Sequence, residues 1–380
     1  MSGFHTVELF ALVVFGVNAV LVAGLITLKT VHRRRTVDYD RRRSHYVTVL
    51  SRHLAFENCA DPLGRDAATD PAFLDALIDV RRTVVGPELT TLGDIASRYG
   101  IITELMHRLR RGRSRGQRLR AAVALAELGD GSSARVLMDH LSDHEAEVRL
   151  QAARGLGRMQ WTPAIDGIVN RLEVETPWLR ARFADTLVGF GGKATAPLTT
   201  YVRVNHPFET YGPVTAVKTL ATIGDSQAVT PLLEVLEEAE NPEVEIAVIE
   251  ALGILGGPAV IAPLQRKSDS PDWRVRAKVA TGLGTVGDPS SAPILARAMC
   301  DANWWVRRNA AAALAKLPGG SDSLYAAIDG PDPYAGDAAA EALADRGDLE
   351  AARDRQAVGE TTALDEKLLA YVEAVVEVPA

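Results

Sequence analysis

The stretch DWRVRAKVATGLGTVGD, residues 272–288, contains the pattern on which the fold depends. Its apolar residues Val275, Val279, Leu283 and Val286 are separated by four, four and three positions. This spacing follows one face of an α-helix, and the Gly-Asp pair at 287–288 is typical of a helix end followed by a new helix start. The stretch therefore predicts an amphipathic helix that stops at a tight turn.

The same helix pattern recurs along the chain at steps close to 31 residues. The other clear copies begin at Val148, Leu179, Val244 and Val306. After several of the turns a proline (Pro197, Pro231, Pro263 or Pro293) marks a second helix, because proline is favoured in the first turn and disfavoured further in. Two helices per repeat predict an all-α fold, an α-α superhelix or solenoid, over residues 88–348.

The residues around the helix starts resemble the HEAT-repeat superfamily, in particular its short HEAT-like or PBS-lyase-like repeats. The matching segments are DWRVR at 272–276, WWVR at 304–307, EVR at 147–149 and WLR at 178–180. The resemblance implies a solenoid that binds other proteins, although a few members of the superfamily are enzymes. The chain also resembles bacterial membrane-anchored HEAT-repeat proteins, some of which accompany membrane enzymes such as glycosyltransferases.

Composition excludes several other classes of protein. Forty-two Lys and Arg against 49 Asp and Glu give a net charge of −7, which does not suit a general polyanion binder. The two cysteines, Cys59 and Cys300, are too few and too far apart for a disulfide scaffold or a four-cysteine zinc site. We expect no metal, no cofactor and no nucleic-acid partner.

The N-terminal segment predicts a membrane anchor. Residues 9–28 are almost entirely apolar, and twenty helical residues span about 30 Å, the thickness of the hydrocarbon core. Small residues such as Gly16 and the polar Asn18 would suit a lateral helix partner. Basic residues follow the segment and would set topology and lie near anionic lipid headgroups: Arg33, Arg34, Arg35, Arg41, Arg42 and Arg43. The expectation is a single-pass bacterial inner-membrane protein with its N-terminus outside and its bulk in the cytoplasm.

Four segments are predicted on this basis. Residues 1–30 form the transmembrane anchor, and 31–87 form a basic juxtamembrane linker with N-terminal capping helices. Residues 88–348 form the solenoid, and 349–380 form a C-terminal linker and capping helix. Thr362 and Asp365 have the spacing of a capping box at the start of that last helix.

Two recurring residue types are candidates for protein binding. An arginine follows the first apolar position of several repeats, and its examples include Arg276 and Arg307. It either pairs with a turn aspartate such as Asp143 or Asp301, or forms a charged stripe that faces a ligand. Trp273, Trp304 and Trp305 stand at helix starts, where they either pack between repeats or form a contact patch, since interface hot spots favour Trp and Arg.

Charge is distributed unevenly along the repeats. Seven arginines and no acid occur between Arg108 and Arg120, whereas residues 219–265 contain no Lys, Arg or His. Glu237, Glu238 and Glu240 lie in the acidic stretch and are further candidates for protein binding. Such runs are either solvated faces or surfaces that orient a charged partner.

The sequence thus favours a non-enzymatic, membrane-tethered scaffold that binds another protein, and the resemblance implies that this partner is membrane-associated. The alternative is a HEAT-like enzyme, of the lyase or DNA-repair glycosylase type, that uses a concave groove. His140 and His144 are separated by a predicted turn and do not share a helix face, so they do not predict a metal site.

Overall fold

The computed structural model describes residues 2–55, 67, 70–84, 88–208 and 210–376, and no strand occurs among them. Consecutive helices pack against one another, so the predicted all-α helical-repeat architecture is confirmed. The chain divides into two compact units, unit 1 (Met1–Met159) and unit 2 (Gln160–Ala380). The predicted segment boundaries at residues 87 and 348 stay predictions.

Unit 1 is organised around a cluster of aromatic and aliphatic side chains between its first helices. Its helices are α1 (Ser2–Ala55), α2 (Pro71–Thr83), α3 (Glu88–Arg98), α4 (Ile101–Arg111), α5 (Arg115–Leu128), α6 (Gly131–Asp139) and α7 (Ala146–Arg158). The ring of Phe73 lies edge-on to Tyr46 and Tyr99, at centroid distances of 5.1 and 6.2 Å. Leu50 and Leu77 are fully buried. The C-terminal part of α1 is therefore part of a packed core.

The predicted membrane anchor is wrong. Within the described residues, no helix has both the length and the apolar character that a bilayer span requires. Helix α1 does not end near residue 30, because it continues to Ala55 through Lys29 and the arginines at 33–35 and 41–43. The side chains of residues 1–20, including Gly16 and Asn18, lie outside the described part of the chain. The predicted single-pass inner-membrane localisation is overturned with the anchor.

Two of the arginines that were expected to set topology contact α2 instead. Arg42 Nη1 lies 3.0 Å from Asp70 Oδ2, and Arg43 Nε donates a hydrogen bond of 2.7 Å to Asp79 Oδ2. The hydrogen bond to Asp79 raises the pKa of Arg43. The remaining members of the basic group are exposed on α1: Arg33, Arg34, Arg35 and Arg41. Arg42 and Arg43 thus help to hold α1 against α2.

Unit 2 alternates longer and shorter helices. The first helices of its repeats are α10 (Pro177–Gly189), α12 (Tyr211–Ile223), α14 (Pro242–Leu255), α16 (Trp273–Val286), α18 (Trp304–Lys316) and α20 (Pro333–Arg346). The other helices are α8 (Ile165–Val169), α9 (Arg171–Val174), α11 (Thr195–Asn205), α13 (Val229–Glu238), α15 (Ile261–Arg266), α17 (Ala292–Ala298), α19 (Gly320–Ile328), α21 (Asp348–Val358) and α22 (Ala363–Val376). Each first helix packs beside the next, which places all their N-terminal ends along one edge.

Small residues let the first helices approach closely. A Cβ added to Gly284 in α16 would lie 2.5 Å from the Cβ of Ala313 in α18, and one added to Gly253 in α14 would lie 3.0 Å from the Cα of Gly282. The predicted apolar positions Val275, Val279 and Leu283 are buried between the layers. The layer of first helices is therefore tightly packed.

The C-terminal helix packs against the preceding repeat. The predicted capping box at its start is confirmed, since the backbone N–H of Thr362 donates to Asp365 and that of Asp365 donates to the Thr362 hydroxyl. The Tyr371 hydroxyl donates to Asp337 and lies 3.0 Å from the carbonyl oxygen of Pro333. Helix α22 thus contacts α19, α20 and α21.

Candidate functional site

Half-exposed aromatic side chains cluster where the first helices of unit 2 begin. Trp178, Tyr211, Trp305 and Tyr334 all stand one residue before the first buried position of their helices. Trp273 and Trp304 stand one residue earlier in register. Because the first helices pack side by side, these residues lie along the same border, which we call the aromatic edge: Trp178, Tyr211, Trp273, Trp304, Trp305 and Tyr334.

The helix caps explain why these side chains point outward. Asp272, Asn303 and Asp332 each accept a hydrogen bond from a backbone N–H two residues further on, which starts the helix at the next residue. The aromatic residue therefore occupies the first turn, before the buried stripe begins. Trp304 and Trp305 are each 48% exposed and Trp273 is 39% exposed. They do not pack wholly between repeats.

Trp304 and Trp305 are held by their neighbours. Their rings form an edge-to-face pair with centroids 4.6 Å apart. The guanidinium group of Arg308 lies 5.6 Å from the Trp304 ring, and Arg308 also bonds Glu341 at 2.8 Å. Ring packing and cation–π contact therefore order the pair without covering it.

A second group of apolar side chains lies at the same edge, nearer the start of unit 2. Phe208 is 86% exposed in the turn that leads into α12, and Val174 and Val204 are exposed at the C-terminal ends of α9 and α11. Arg182 lies over Trp178, and Arg180 lies over Tyr211 at 4.9 Å. The edge therefore carries aromatic residues on both sides of the α13–α14 turn.

The predicted arginine candidates Arg276 and Arg307 both donate hydrogen bonds to turn residues of the repeats. Arg276 makes a two-pronged contact with Asp301 at 2.7 and 2.9 Å and donates to the carbonyl oxygen of Ser270 at 2.9 Å. Arg307 donates to the carbonyl oxygens of Asp301 and Ala302. Hydrogen bonds from Arg276 hold the pKa of Asp301 below its usual range. At these two positions the arginine joins one helix to a turn.

The charge pattern of this contact is reversed in one repeat. Glu245 occupies the register position of Arg276, and the ammonium group of Lys267 in the next turn lies 2.8 Å from its Oε1. In unit 1 the charges are arranged as in the Arg276–Asp301 contact, because Arg118 Nε lies 3.3 Å from Asp143 Oδ2. Because either arrangement joins a helix to the following turn, the contact is part of the repeat architecture.

Glu237 and Glu238 are the last residues of α13, and Glu240 lies in the loop that leads to α14. We call this acidic segment the α13–α14 turn, and it lies at the aromatic edge. Glu237 accepts a 2.5 Å bond from Arg266, and Glu238 lies 3.8 Å from the buried His206. Glu240 makes no ion pair within the described part of the chain. The structure therefore places these acids between the two aromatic groups, with part of their charge already balanced.

Three exposed aromatic residues, Phe208, Tyr211 and Tyr334, were not predicted from the sequence. Tyr211 and Tyr334 carry a readable signal, because they occupy the register position of Trp305. Phe208 lies in an irregular turn, and no spacing marks it. His140 and His144 have different partners. His140 Nδ1 lies 2.7 Å from the carbonyl oxygen of Val136, whereas His144 contacts Arg118.

The fold and the edge together define a helical-repeat protein of the α-solenoid class. The sequence model of the family described as HEAT repeats matches residues 102–188, 205–269 and 264–344, which together are more than half of the chain. The protein belongs to the HEAT-repeat family. No curated protein matches it in sequence.

Several solved structures are similar to this chain. A mutant of the karyopherin Kap121p superposes with a TM-score of 0.52 at 12% identity over 88% of this chain and 44% of that one, so this chain spans less than half of the karyopherin. Human deoxyhypusine hydroxylase in complex with glycerol is 20% identical, with 68% and 98% coverage and a TM-score of 0.29. The CpcE–CpcF complex of phycocyanin lyase from Nostoc sp. PCC7120 is 19% identical, with 63% and 94% coverage and a TM-score of 0.32. The likeness to the karyopherin shows the fold alone.

Proposed function

We propose that this protein is a non-enzymatic scaffold that binds a partner protein along the aromatic edge of unit 2. The observation that supports this most is the set of half-exposed Trp and Tyr side chains at the starts of α10, α12, α16, α18 and α20. Repeat proteins of this kind bind partners over extended surfaces built from several repeats. Tryptophan, tyrosine and arginine are also the residues most enriched among interface hot spots.

An exposed aromatic ring forgoes the favourable free energy of burial, and helix formation does not explain why these rings are exposed. Burying a large side chain is worth roughly 1.5–3 kcal/mol, and an aromatic ring at a helix start has no special advantage over a polar residue there. Contact with a partner would recover that free energy. The cation–π and edge-to-face contacts keep the rings in place, so less side-chain entropy is lost on binding.

The length of the edge and its charges define the kind of partner that we propose. Six first helices at about 8–10 Å each place Trp178 and Tyr334 on the order of 40–50 Å apart. An extended segment or a long helical face would reach both aromatic groups. The acidic α13–α14 turn between them favours a partner with apolar residues at both ends of its contact and basic residues in the middle.

The test is a double substitution, W304A/W305A, compared with I254A. Ile254 is 57% exposed at the opposite ends of the first helices and serves as the matched apolar control. Native partners would be recovered by co-purification with the full chain and identified by mass spectrometry. Truncating one hot-spot tryptophan costs about 2 kcal/mol or more, and hot-spot effects are not additive. The double variant should therefore lose at least the roughly thirtyfold in affinity that one hot spot accounts for.

Circular dichroism separates loss of contact from loss of fold. We expect W304A/W305A to keep the helix content and thermal midpoint of the parent chain, because both side chains are half exposed. Loss of helicity would assign the pair to packing between repeats. Equal partner recovery with W304A/W305A, I254A and the parent chain would refute binding through this edge.

A further inference from the structure

The arginine run of unit 1 divides into paired and unpaired residues. Arg108 Nε bonds Glu104 Oε1 at 2.7 Å, Arg115 bonds Glu147 at 2.6 Å, and Arg118 lies 3.3 Å from Asp143. These three are held by acids of α4 and of the turn and helix that follow α6. The other four, whose side chains make no ion pair or hydrogen bond among the described residues, are Arg110, Arg111, Arg113 and Arg120.

Two of the four unpaired arginines line the same cavity. Arg111 at the end of α4 and Arg120 in α5 border a space of about 590 Å³ between these helices, α1 and α2. Arg110 and Arg113 do not line it. The apolar part of the wall includes Leu74, which is buried in α2. The cavity therefore combines two free cations with an apolar surface.

The carboxylates of this cavity already have partners. Glu104 accepts the hydrogen bond from Arg108, and Asp75 accepts one from the Tyr39 hydroxyl. Burial, with the bond to Asp75 as a second cause, raises the pKa of Tyr39 to about 12. Tyr39 therefore keeps its proton at neutral pH and remains a donor to Asp75. Within the described part of the chain, neither acid forms an ion pair with Arg111 or Arg120.

We propose that this cavity binds the phosphate group of a small phosphate monoester, with Arg111 and Arg120 as its anchors. Guanidinium groups present several N–H donors in a planar fork, which matches the oxygens of a phosphate dianion better than a point charge does. A volume of about 590 Å³ lies within the range of small-molecule sites and leaves room for an organic group beside Leu74. The chemistry that recognises the ligand is therefore one anionic head and one apolar body.

The sequence offers a matched control for this site. Arg110 and Arg113 belong to the same run, are exposed and unpaired in the described residues like Arg111 and Arg120, and lie outside the cavity. R111Q/R120Q and R110Q/R113Q change the net charge by the same amount. A diffuse basic surface would respond equally to both pairs, whereas a site responds only to the first.

Calorimetric titration of the full chain with phenyl phosphate tests the proposal, with phenol as the uncharged probe. At about 0.1 M salt, where the screening length is about 10 Å, distant charges contribute little. The parent chain and R110Q/R113Q should bind phenyl phosphate with similar affinity, and R111Q/R120Q should bind it roughly tenfold or more weakly. Phenol should bind more weakly than phenyl phosphate to the parent chain.

Three outcomes would overturn the assignment: no binding of phenyl phosphate to the parent chain, equal losses in the two double variants, or equal binding of phenol and phenyl phosphate. A urea unfolding curve for each variant shows whether the fold is retained. Because the cavity belongs to unit 1 and the aromatic edge to unit 2, the result is independent of partner binding through Trp304 and Trp305.

Discussion

The two edges of unit 2 are made from the same first helices, yet they are composed differently. Where the first helices end, glycines such as Gly224 and Gly287 adopt positive φ, and aspartates such as Asp288 cap the next helical turn. Backbone geometry explains those residues. Where the first helices begin, the caps are also explained, but the aromatic residues that follow them are not. The unexplained side chains are therefore the better guide to function.

The largest effect is expected from a change in the interior that both edges share. Leu283 is fully buried in α16, so L283A should lower the free energy of unfolding by about 2–5 kcal/mol. T281A, at an exposed position of the same helix, should change it by no more than about 0.5 kcal/mol. Urea denaturation measures both. Equal losses of unfolding free energy in L283A and T281A would contradict the prediction that the buried layer between the first helices stabilises both edges.

A smaller effect is expected at the glycine edge. Gly287 has φ 76°, and a Cβ there would meet no atom within 4 Å, so the cost of G287A comes from the backbone alone. We expect a loss of about 1–2 kcal/mol in unfolding free energy and unchanged partner affinity. If G287A lowered affinity as much as W304A/W305A without unfolding the chain, the functional distinction between the edges would fail.

The Arg276–Asp301 contact predicts a pH effect. Its hydrogen bonds keep the pKa of Asp301 in the folded chain below the value of about 3.9 expected after unfolding. The stabilisation is therefore present above about pH 4 and is lost as pH falls through the folded pKa. R276Q should cost about 1 kcal/mol at neutral pH and flatten the acid side of the profile.

Chemical denaturation between about pH 7 and pH 3 checks this prediction, with R274Q as the control. The partners of Arg274 are Asp272 and Glu243 on the exposed rim, so its loss should matter less. An R276Q profile parallel to that of the parent chain would show that this contact is not the source of the acid sensitivity.

The smallest effect is expected from the acidic turn between the aromatic groups. Reversing charge at Glu237, Glu238 and Glu240 should slow partner association by less than about tenfold, and mostly at low salt, because rim charges act on encounter rates. Association rates at two salt concentrations measure this. Unchanged rates at low salt would reduce the turn to solvated surface.

Sequence reasoning was reliable for the helix pairs and failed at the N-terminus. The spacing around Val275 and the proline at Pro293 predicted helices that the structure places at Trp273–Val286 and Ala292–Ala298. The apolar run before residue 30 predicted an anchor, but no helix of the described residues meets the requirements of a bilayer span. The same helix extends to Ala55, and Arg42 and Arg43 find their partners on α2, tens of residues later in the chain.

The sequence by itself determined the repeat, because helix periodicity and turn chemistry are local and each copy carries its own signals. The tertiary structure decided which charges remain available, because their partners come from neighbouring helices. Residues 219–265 contain no basic residue, yet Glu237 is paired by Arg266 and Glu245 by Lys267 from the turn beyond. The arginine run likewise contains no acid, and only packing shows that Arg111 and Arg120 line the same cavity without an ion-pair partner among the described residues.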